Sequence, residues 1–418
     1  MAQLSDDCFA FGGPLMPLDE MVEQLSARLE PVEGVENIPL AQADGRILAE
    51  NILASFPLPP FNNSAVDGYA VRGDDLPLEG ERGFTVSERL QAGSTAQAPV
   101  MPGETVRIFT GAPMPEGADT VFMQEDVRSD DAGRVILPPG LKRGANMRLA
   151  GEDVVAGQLV LAAGRRMRPQ DVAIAAALGF AHVTVRRRLR VAVLSTGNEI
   201  VAPGGRRGPA QLFDSNRFML MAMLARLGCE VSDLGMLGDD PVRIATGLKK
   251  AASGHDLILT TGGVSTGEAD YVRESIESVG SLVFWRVAIK PGRPVAMGVI
   301  DGTPLIGLPG NPAASFVTLV CIARPALLAL AGALPQKPLS ISVRAAFSYK
   351  KKAGRREYVR ATLKRASDGM SEAVKFPREG AGLLSSLVET DGLVELSEEA
   401  TRVEPGQMVA FLPYSSLL

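Results

Sequence analysis

Residues 257–271 read LILTTGGVSTGEADY, an apolar run that breaks into glycines and hydroxyls and then into an acidic stretch. A short apolar run closed by such punctuation is a buried strand, and the acidic stretch after the glycines has the composition of a helix start. Glycines there let backbone N–H groups approach an anion closely, and the helix dipole favours negative charge at the same place. Thr261, Gly262, Gly263, Ser265 and Gly267 are therefore candidate phosphate-binding groups. The loop has neither the lysine of a Walker loop nor the dinucleotide fingerprint, so a tight strand-to-helix turn explains it equally well. Asp270 at the helix start could hold a magnesium ion for a phosphorylated ligand, or simply compensate the helix N-terminus.

Outward from this segment the same alternation repeats. Apolar runs at 189–194, 230–236 and 257–260 are separated by helical patterns starting near Asn216, Pro241 and Ala269. Strand, helix, strand, helix predicts a parallel sheet with helices on both faces, here over 187–334. In such sheets ligands sit beyond the carboxyl ends of the strands. The stretch 191–200, VAVLSTGNEI, ends a second strand there and offers Ser195, Thr196, Gly197 and Glu199. Asp214 or Ser215 in FDSN reads as a helix cap, and Asp239 and Asp240 before Pro241 read as a cap or as ligand-facing carboxylates. AIKPGRP at 288–294 presents Lys290, a point charge suited to a phosphate or other oxyanion oxygen, or an ordinary surface lysine. LPGNPAAS at 308–315 brings Pro309, Gly310, Asn311 and Pro312, with Asn311 and Pro312 reading as N-cap and first helical residue and an oxyanion site there left open.

The flanks differ in texture. Leu18, Met21, Val22, Leu25 and Leu29 recur at helical spacing. Residues 54–153 are short apolar runs broken by Gly and Pro, which predicts a β-rich insert. Within it Asp67 and Gly68 fit an Asx turn before a strand, Thr110 and Gly111 a strand end, and Asp153 a turn cap. Beyond 335, apolar runs at 341–347, 357–363, 393–396 and 408–412 predict a small β-barrel-like domain. The fold class is α/β plus β in several domains.

Bulk properties exclude several functions. The 418 residues carry a formal net charge of -5, so no general positive field gathers nucleic acid or an anionic membrane. The basic runs 186–190 and 350–356 read as solvated surface. Three scattered cysteines and two histidines argue against disulfides, zinc, iron–sulfur clusters and imidazole catalysis, and suit a reducing cytosol. No secretory signal is evident, and Arg324 and Pro325 interrupt the most apolar stretch, which favours a buried helix or helix pair. A cytoplasmic protein is expected, with chemistry resting on carboxylates, lysine, hydroxyls and backbone.

Taken in order, SAVDGYAV, IFTGAP, RLAGED, LSTGNE, FDSN, TTGGVSTGEADY, AIKPGRP and LPGNP resemble the molybdopterin molybdenumtransferase family over nearly the whole chain. The resemblance implies an elongated protomer with a discontinuous domain from 1–53 and 154–186, the insert 54–153, a molybdopterin-binding three-layer α/β domain 187–334 and the C-terminal domain 335–418. It implies a homodimer whose cleft sets Asp67, Thr110 and Asp153 of one protomer against Glu199, Asp239, Asp270 and Lys290 of the other. Asp67, Glu199, Asp153 and Asp270 are then catalytic; Glu199, Asp239 and Asp270 are magnesium ligands; Pro309 and Pro312 belong to a proline-rich active-site loop; and Arg360 and Ser385 or Ser386 lie near the cleft. The implied reaction inserts molybdate into adenylylated molybdopterin with magnesium-dependent release of AMP. Handover from a molybdopterin adenylyltransferase and delivery to apo-molybdoenzymes are left open, as is molybdate against tungstate.

Asn198 stands where relatives often carry an acid, Val66 where Met is common, and Arg286 where lysine is frequent. Molybdopterin adenylyltransferases share the α/β domain but lack the insert and the β tail. A non-catalytic pterin-binding scaffold is the third reading, against which the intact acidic positions weigh.

Overall fold

The computed structural model describes residues 15–263 and 271–418. Its centre is a six-stranded sheet in the order Glu230–Leu237, Arg190–Thr196, Leu257–Thr261, Thr303–Leu308, Pro294–Ile300, Ser281–Arg286. The first four strands run parallel. Alternate residues feed two cores, as the period of a strand requires. Val191, Val193, Leu257, Leu259, Ile306 and Leu308 pack with Leu220 and Leu224 of helix Asn216–Arg226 and with Val317. Ala192, Leu194, Ile258 and Leu305 pack on the opposite side with Ile244, Leu248, Val272 and Ile276. The result is three layers, helices on both faces.

One strand departs from the expected parallel sheet, because Pro294–Ile300 pairs antiparallel with both of its neighbours. A parallel crossover needs a dozen or more residues, and only Asp301 and Gly302 separate Pro294–Ile300 from Thr303–Leu308. Both turn residues have positive φ, 46° and 84°, the geometry of a two-residue hairpin.

The apolar segment Pro312–Leu330 has the length and composition of a membrane span, yet 83% of it is buried within the protein. It is a core helix that widens into a π-type turn over Leu319–Ala323, just before Pro325, which lacks an N–H to continue regular bonding. Helix Leu18–Arg28 lays Leu18, Met21 and Leu25 on the same core.

Strand Val35–Pro39 pairs with His182–Arg186, and Ile52–Leu53 with Leu159–Leu161, so two distant stretches share one core around Ile38, Leu48, Ile52, Leu161 and Val185. Between them the chain forms a second six-stranded sheet, with Gly68–Val71 flanked by Thr120–Met123 and Glu104–Ile108. The C-terminal strands close on themselves: Arg356–Arg365 pairs with both Ser371–Lys375 and Gly392–Leu396, making a small barrel around Val359, Ala361 and Phe411. Ile289–Lys290 from the central domain adds to its edge, beside Arg356 and Glu357.

Neither basic run is simply solvated surface. Arg187 makes two bonds to Asp256, 2.7 and 2.8 Å, and Lys351 is buried, donating to the carbonyls of Ser397 and Ala400 at 2.7 Å. Arg356 bridges Asp19 and Glu398. Charges next to apolar strands reach partners that linear composition does not reveal.

Candidate active site

Strand register sets the floor of the site. Ser195 lies opposite Thr261, and Thr261 opposite Leu308, so the segments after each strand emerge side by side at the carboxyl edge. The glycines there are required by contact as well as by φ. A Cβ on Gly262 would lie 2.5 Å from the carbonyl oxygen of Thr196, and one on Gly263 2.3 Å from Val272 Cγ2 and 2.8 Å from Thr196 Oγ1. Their φ values are +90° and +65°, which side chains rarely adopt. The buried hydroxyls of Ser195 and Thr196 have no hydrogen-bond partner among the described residues. This is a backbone-lined cradle with spare hydroxyl donors, suited to a phosphate or pterin oxygen. Ser265, Gly267 and Asp270 lie outside the described residues.

Asn216 binds the cradle together, a role hidden in the sequence, where it reads only as the start of a helix. Its Nδ2 donates to Thr261 Oγ1 at 2.9 Å and to the Gly310 carbonyl at 2.8 Å. The capping role expected nearby falls to Asp214, whose carboxylate accepts the Arg217 N–H and pairs with the Arg217 guanidinium at 2.9 Å. Asn311 occupies the N-cap position before Pro312, but its side chain makes no capping bond; only its carbonyl accepts from Ser315. The amide is thereby left to line a cavity instead.

The carboxylates form a rim. Glu199 folds back over Gly197, where a Cβ would meet its Oε2 at 2.3 Å. Asn198 donates its N–H to Asp239 Oδ2 at 3.1 Å and accepts the Asp239 N–H at 3.2 Å, tying the two acidic loops. Asp240 is the cap, accepting from Val242 and Arg243. Among the described residues no three His, Cys, Asp or Glu groups gather as a metal set. Magnesium, however, is commonly held by one or two carboxylates with water and phosphate oxygens, and Glu199 and Asp239 on adjoining loops fit that donor set.

A cavity of about 260 Å³ opens between the central sheet and the barrel, bringing together Lys290, Pro309, Asn311 and Arg360. Lys290 donates to Tyr349 Oη at 2.9 Å and to Glu357 Oε2 at 3.2 Å, while Tyr349 donates to Glu357 at 2.7 Å. Burial alone would lower the Lys290 ammonium, but the Tyr349 hydroxyl and the Glu357 carboxylate outweigh it and hold it above the ordinary lysine value. Arg360 is 9% exposed, with Nε on Ser386 Oγ at 3.1 Å and Nη2 on the Gly380 carbonyl at 2.9 Å. Burial pushes its guanidinium down, as expected of a cation that faces no acid at bonding distance among the described residues. Lys375 and Arg378 add charge to the wall. Tyr349, Glu357, Lys375 and Arg378 carry no motif that would single them out in the sequence.

The insert holds a separate constellation. Asp67 Oδ1 accepts both the Thr110 N–H and the Thr110 hydroxyl at 2.8 Å, a bridge across two motifs rather than the Asx turn expected locally. Those two bonds lower the Asp67 carboxyl below its usual range. Asp153 is exposed, its N–H on the Leu58 carbonyl at 3.0 Å. Among the described residues no hydrogen bond, ion pair or strand pairing joins 54–153 to the central domain of the same chain.

A three-layer domain with a glycine cradle, fused to a β-rich insert and a closed barrel, defines a multidomain α/β protein whose central sheet is built to hold an anionic ligand. Residues 16–179 match the MoeA N-terminal region (domains I and II), 192–329 a probable molybdopterin-binding domain, and 342–414 the MoeA C-terminal region (domain IV). The chain is 36% identical to a molybdopterin molybdenumtransferase of Haemophilus influenzae, covering 97% of this chain and 100% of that one, and 33% identical to that of Nostoc sp., covering 94% and 92%. The crystal structure of the molybdopterin biosynthesis moeA protein from Pyrococcus horikoshii superposes with a TM-score of 0.82 at 29% identity, over 96% of this chain and 100% of that one. The chain belongs to the molybdopterin molybdenumtransferase family.

Proposed function

We propose that this enzyme inserts molybdate into adenylylated molybdopterin with magnesium-dependent release of AMP, giving molybdenum cofactor. The observation that carries this reading is the continuity of two spaces, one lined by glycine backbone and the other by Lys290 and Arg360. The 309–311 segment is tied to the glycine cradle through Asn216 and lines the Lys290 and Arg360 cavity with Pro309 and Asn311. A phosphorylated pterin on the cradle therefore points toward an oxyanion held by Lys290 and Arg360. Glu199 and Asp239, with Asp270, would hold magnesium, which when bound supplies charge for the phosphoanhydride oxygens during hydrolysis.

Asp67 is an unusual fit for a proton donor. Two bonds from Thr110 stabilise its charged form, so at neutral pH it acts as a fixed negative charge that orients a ligand or a water. Glu199 and Asp153 remain available for proton transfer as molybdate loses oxygen. The absence of a link between the insert and the central domain within one chain, among the described residues, supports a cleft completed by a second protomer. The same reading places the enzyme in the cytoplasm, where the thiols of Cys229 and Cys321, both pushed up to about 12 by burial, stay unreactive.

The test supplies purified protein with adenylylated molybdopterin, molybdate and magnesium, and follows AMP release and activation of a cofactor-free molybdoenzyme separately. Asp67→Ala and Glu199→Ala are expected to abolish activation while pterin binding persists. Arg360→Ala should raise the molybdate concentration needed for half activation about tenfold or more, the loss of one charge-assisted contact. Full activation by both acidic variants would overturn the assignment.

A further inference from the structure

A second cavity, away from the cradle, lies where the core shared by residues 35–53 and 159–186 meets the central domain. It measures about 40 Å³, opens to solvent and is lined by Arg46, Arg166, Arg186, Arg187, Arg188 and Arg324, with no carboxylate among its lining residues. Two of these six cations are neutralised elsewhere, Arg46 by Glu36 and Arg187 by Asp256. Among the described residues the other four have no carboxylate partner; Arg188 is exposed and Arg166 and Arg186 are half-buried, so Arg324 alone is buried. Arg166 donates to the Arg226 carbonyl at 2.9 Å, Arg188 to the Gly228 carbonyl at 3.1 Å and Arg324 to the Gln336 carbonyl at 3.0 Å.

Arg324 is the telling residue. It is 5% exposed, and its Nε has no hydrogen-bond partner among the described residues; the Nε of Arg186 is buried and unpartnered as well. Burial, and then the charge of Arg166, lower the Arg324 guanidinium from its ordinary value. An arginine cannot escape this cost by losing its proton, and a buried charge without a counterion is strongly unfavourable. In a chain whose net charge is -5, four guanidinium groups without a carboxylate partner around one small space, one of them buried, are a local exception.

We propose that this pocket binds a tetrahedral oxyanion of the size of phosphate or sulfate, which clamps the N-terminal core to the 324–330 helix. The space holds roughly three waters at about 10–15 Å³ each, the size of one such anion. Guanidinium forks match its oxygens in pairs. Bound only by the folded protein, the anion stabilises the junction by mass action. The inference is independent of the transfer reaction.

The experiment measures the thermal unfolding midpoint of the full chain against phosphate, sulfate, molybdate and chloride at constant ionic strength. Wild type and Lys290→Ala should both show a saturable rise of a few degrees with the tetrahedral anions and none with chloride. Arg166→Gln and Arg324→Met should lose that rise, and Arg324→Met, freed of its buried charge, should be no less stable than wild type without anion. If Arg324→Met does not fold, Arg166→Gln carries the test alone. A rise linear in concentration and equal in every variant is general salt exclusion and overturns the proposal. So does a saturable rise that disappears in Lys290→Ala but survives in Arg166→Gln, which puts the anion in the Lys290 cavity.

Discussion

Lys290 is useful to an oxyanion only while it is aimed, and Glu357 does the aiming. Glu357 is 1% exposed and accepts from Tyr349, Arg355 and Lys290. Burial raises its carboxyl, but those three donors outweigh burial and hold it below its ordinary value. A carboxyl lowered on folding adds stability above its unfolded value of about 4.3, and that stability is lost as pH falls through the folded value. Lys290 is raised, so its share is present below about 10.4 and is lost as pH climbs through its folded value. Glu357→Gln should therefore cost about 1–3 kcal/mol at pH 7 in denaturant unfolding, with the gap to wild type narrowing well below pH 4. A gap that stays constant to low pH would mean that shape, not charge, is what Glu357 contributes. This network was illegible in the sequence because its members lie 59 and 67 positions from Lys290. Gly262 and Gly263 were legible for the opposite reason: the demand for positive φ and close approach is local, and glycine declares it.

Elements separate roles that adjacent residues share on paper. Asp239 and Asp240 read alike in the sequence, yet the second caps helix Pro241–Ala252 and the first meets Asn198 across the rim. Asp240→Ala should cost about 1 kcal/mol of stability and leave the magnesium dependence of AMP release unchanged. Asp239→Ala should do the reverse, raising the magnesium requirement with little change in unfolding; identical behaviour of the two variants would remove Asp239 from the proposed metal site. Arg190–Thr196 and Leu257–Thr261 were readable as apolar runs because both of their faces are buried, whereas Glu230–Leu237, at the sheet edge with no fully buried residue, was legible only from its place in the alternation. The antiparallel pair beyond them was not, since a two-residue turn at Asp301 and Gly302 reverses a direction that the alternation of strands and helices implied would continue. Ser371–Lys375 escaped notice because only Ala373 of its five residues is fully buried, leaving almost no apolar signal.

At the scale of the molecule, the insert that holds Asp67 and the central domain that holds Lys290 and Glu199 are joined, among the described residues, through the N-terminal core and its two connecting stretches. Their order along the chain was visible from texture alone; which copy of one faces which copy of the other is a question of assembly that no linear pattern encodes. If two protomers complete each cleft, a defect in the insert and a defect in the cavity complement each other. Asp67→Ala and Lys290→Ala proteins, each inactive alone, should regain about one quarter of wild-type activation when unfolded together and refolded at equal amounts, because half the dimers are mixed and each mixed dimer has one intact cleft. Cis clefts predict no recovery at all, since every mixed dimer would then carry one lesion in each site. The same refolded mixture should show activity rising with protein concentration through the dimer dissociation range, so a recovery independent of dilution to far below that range would also exclude the shared cleft.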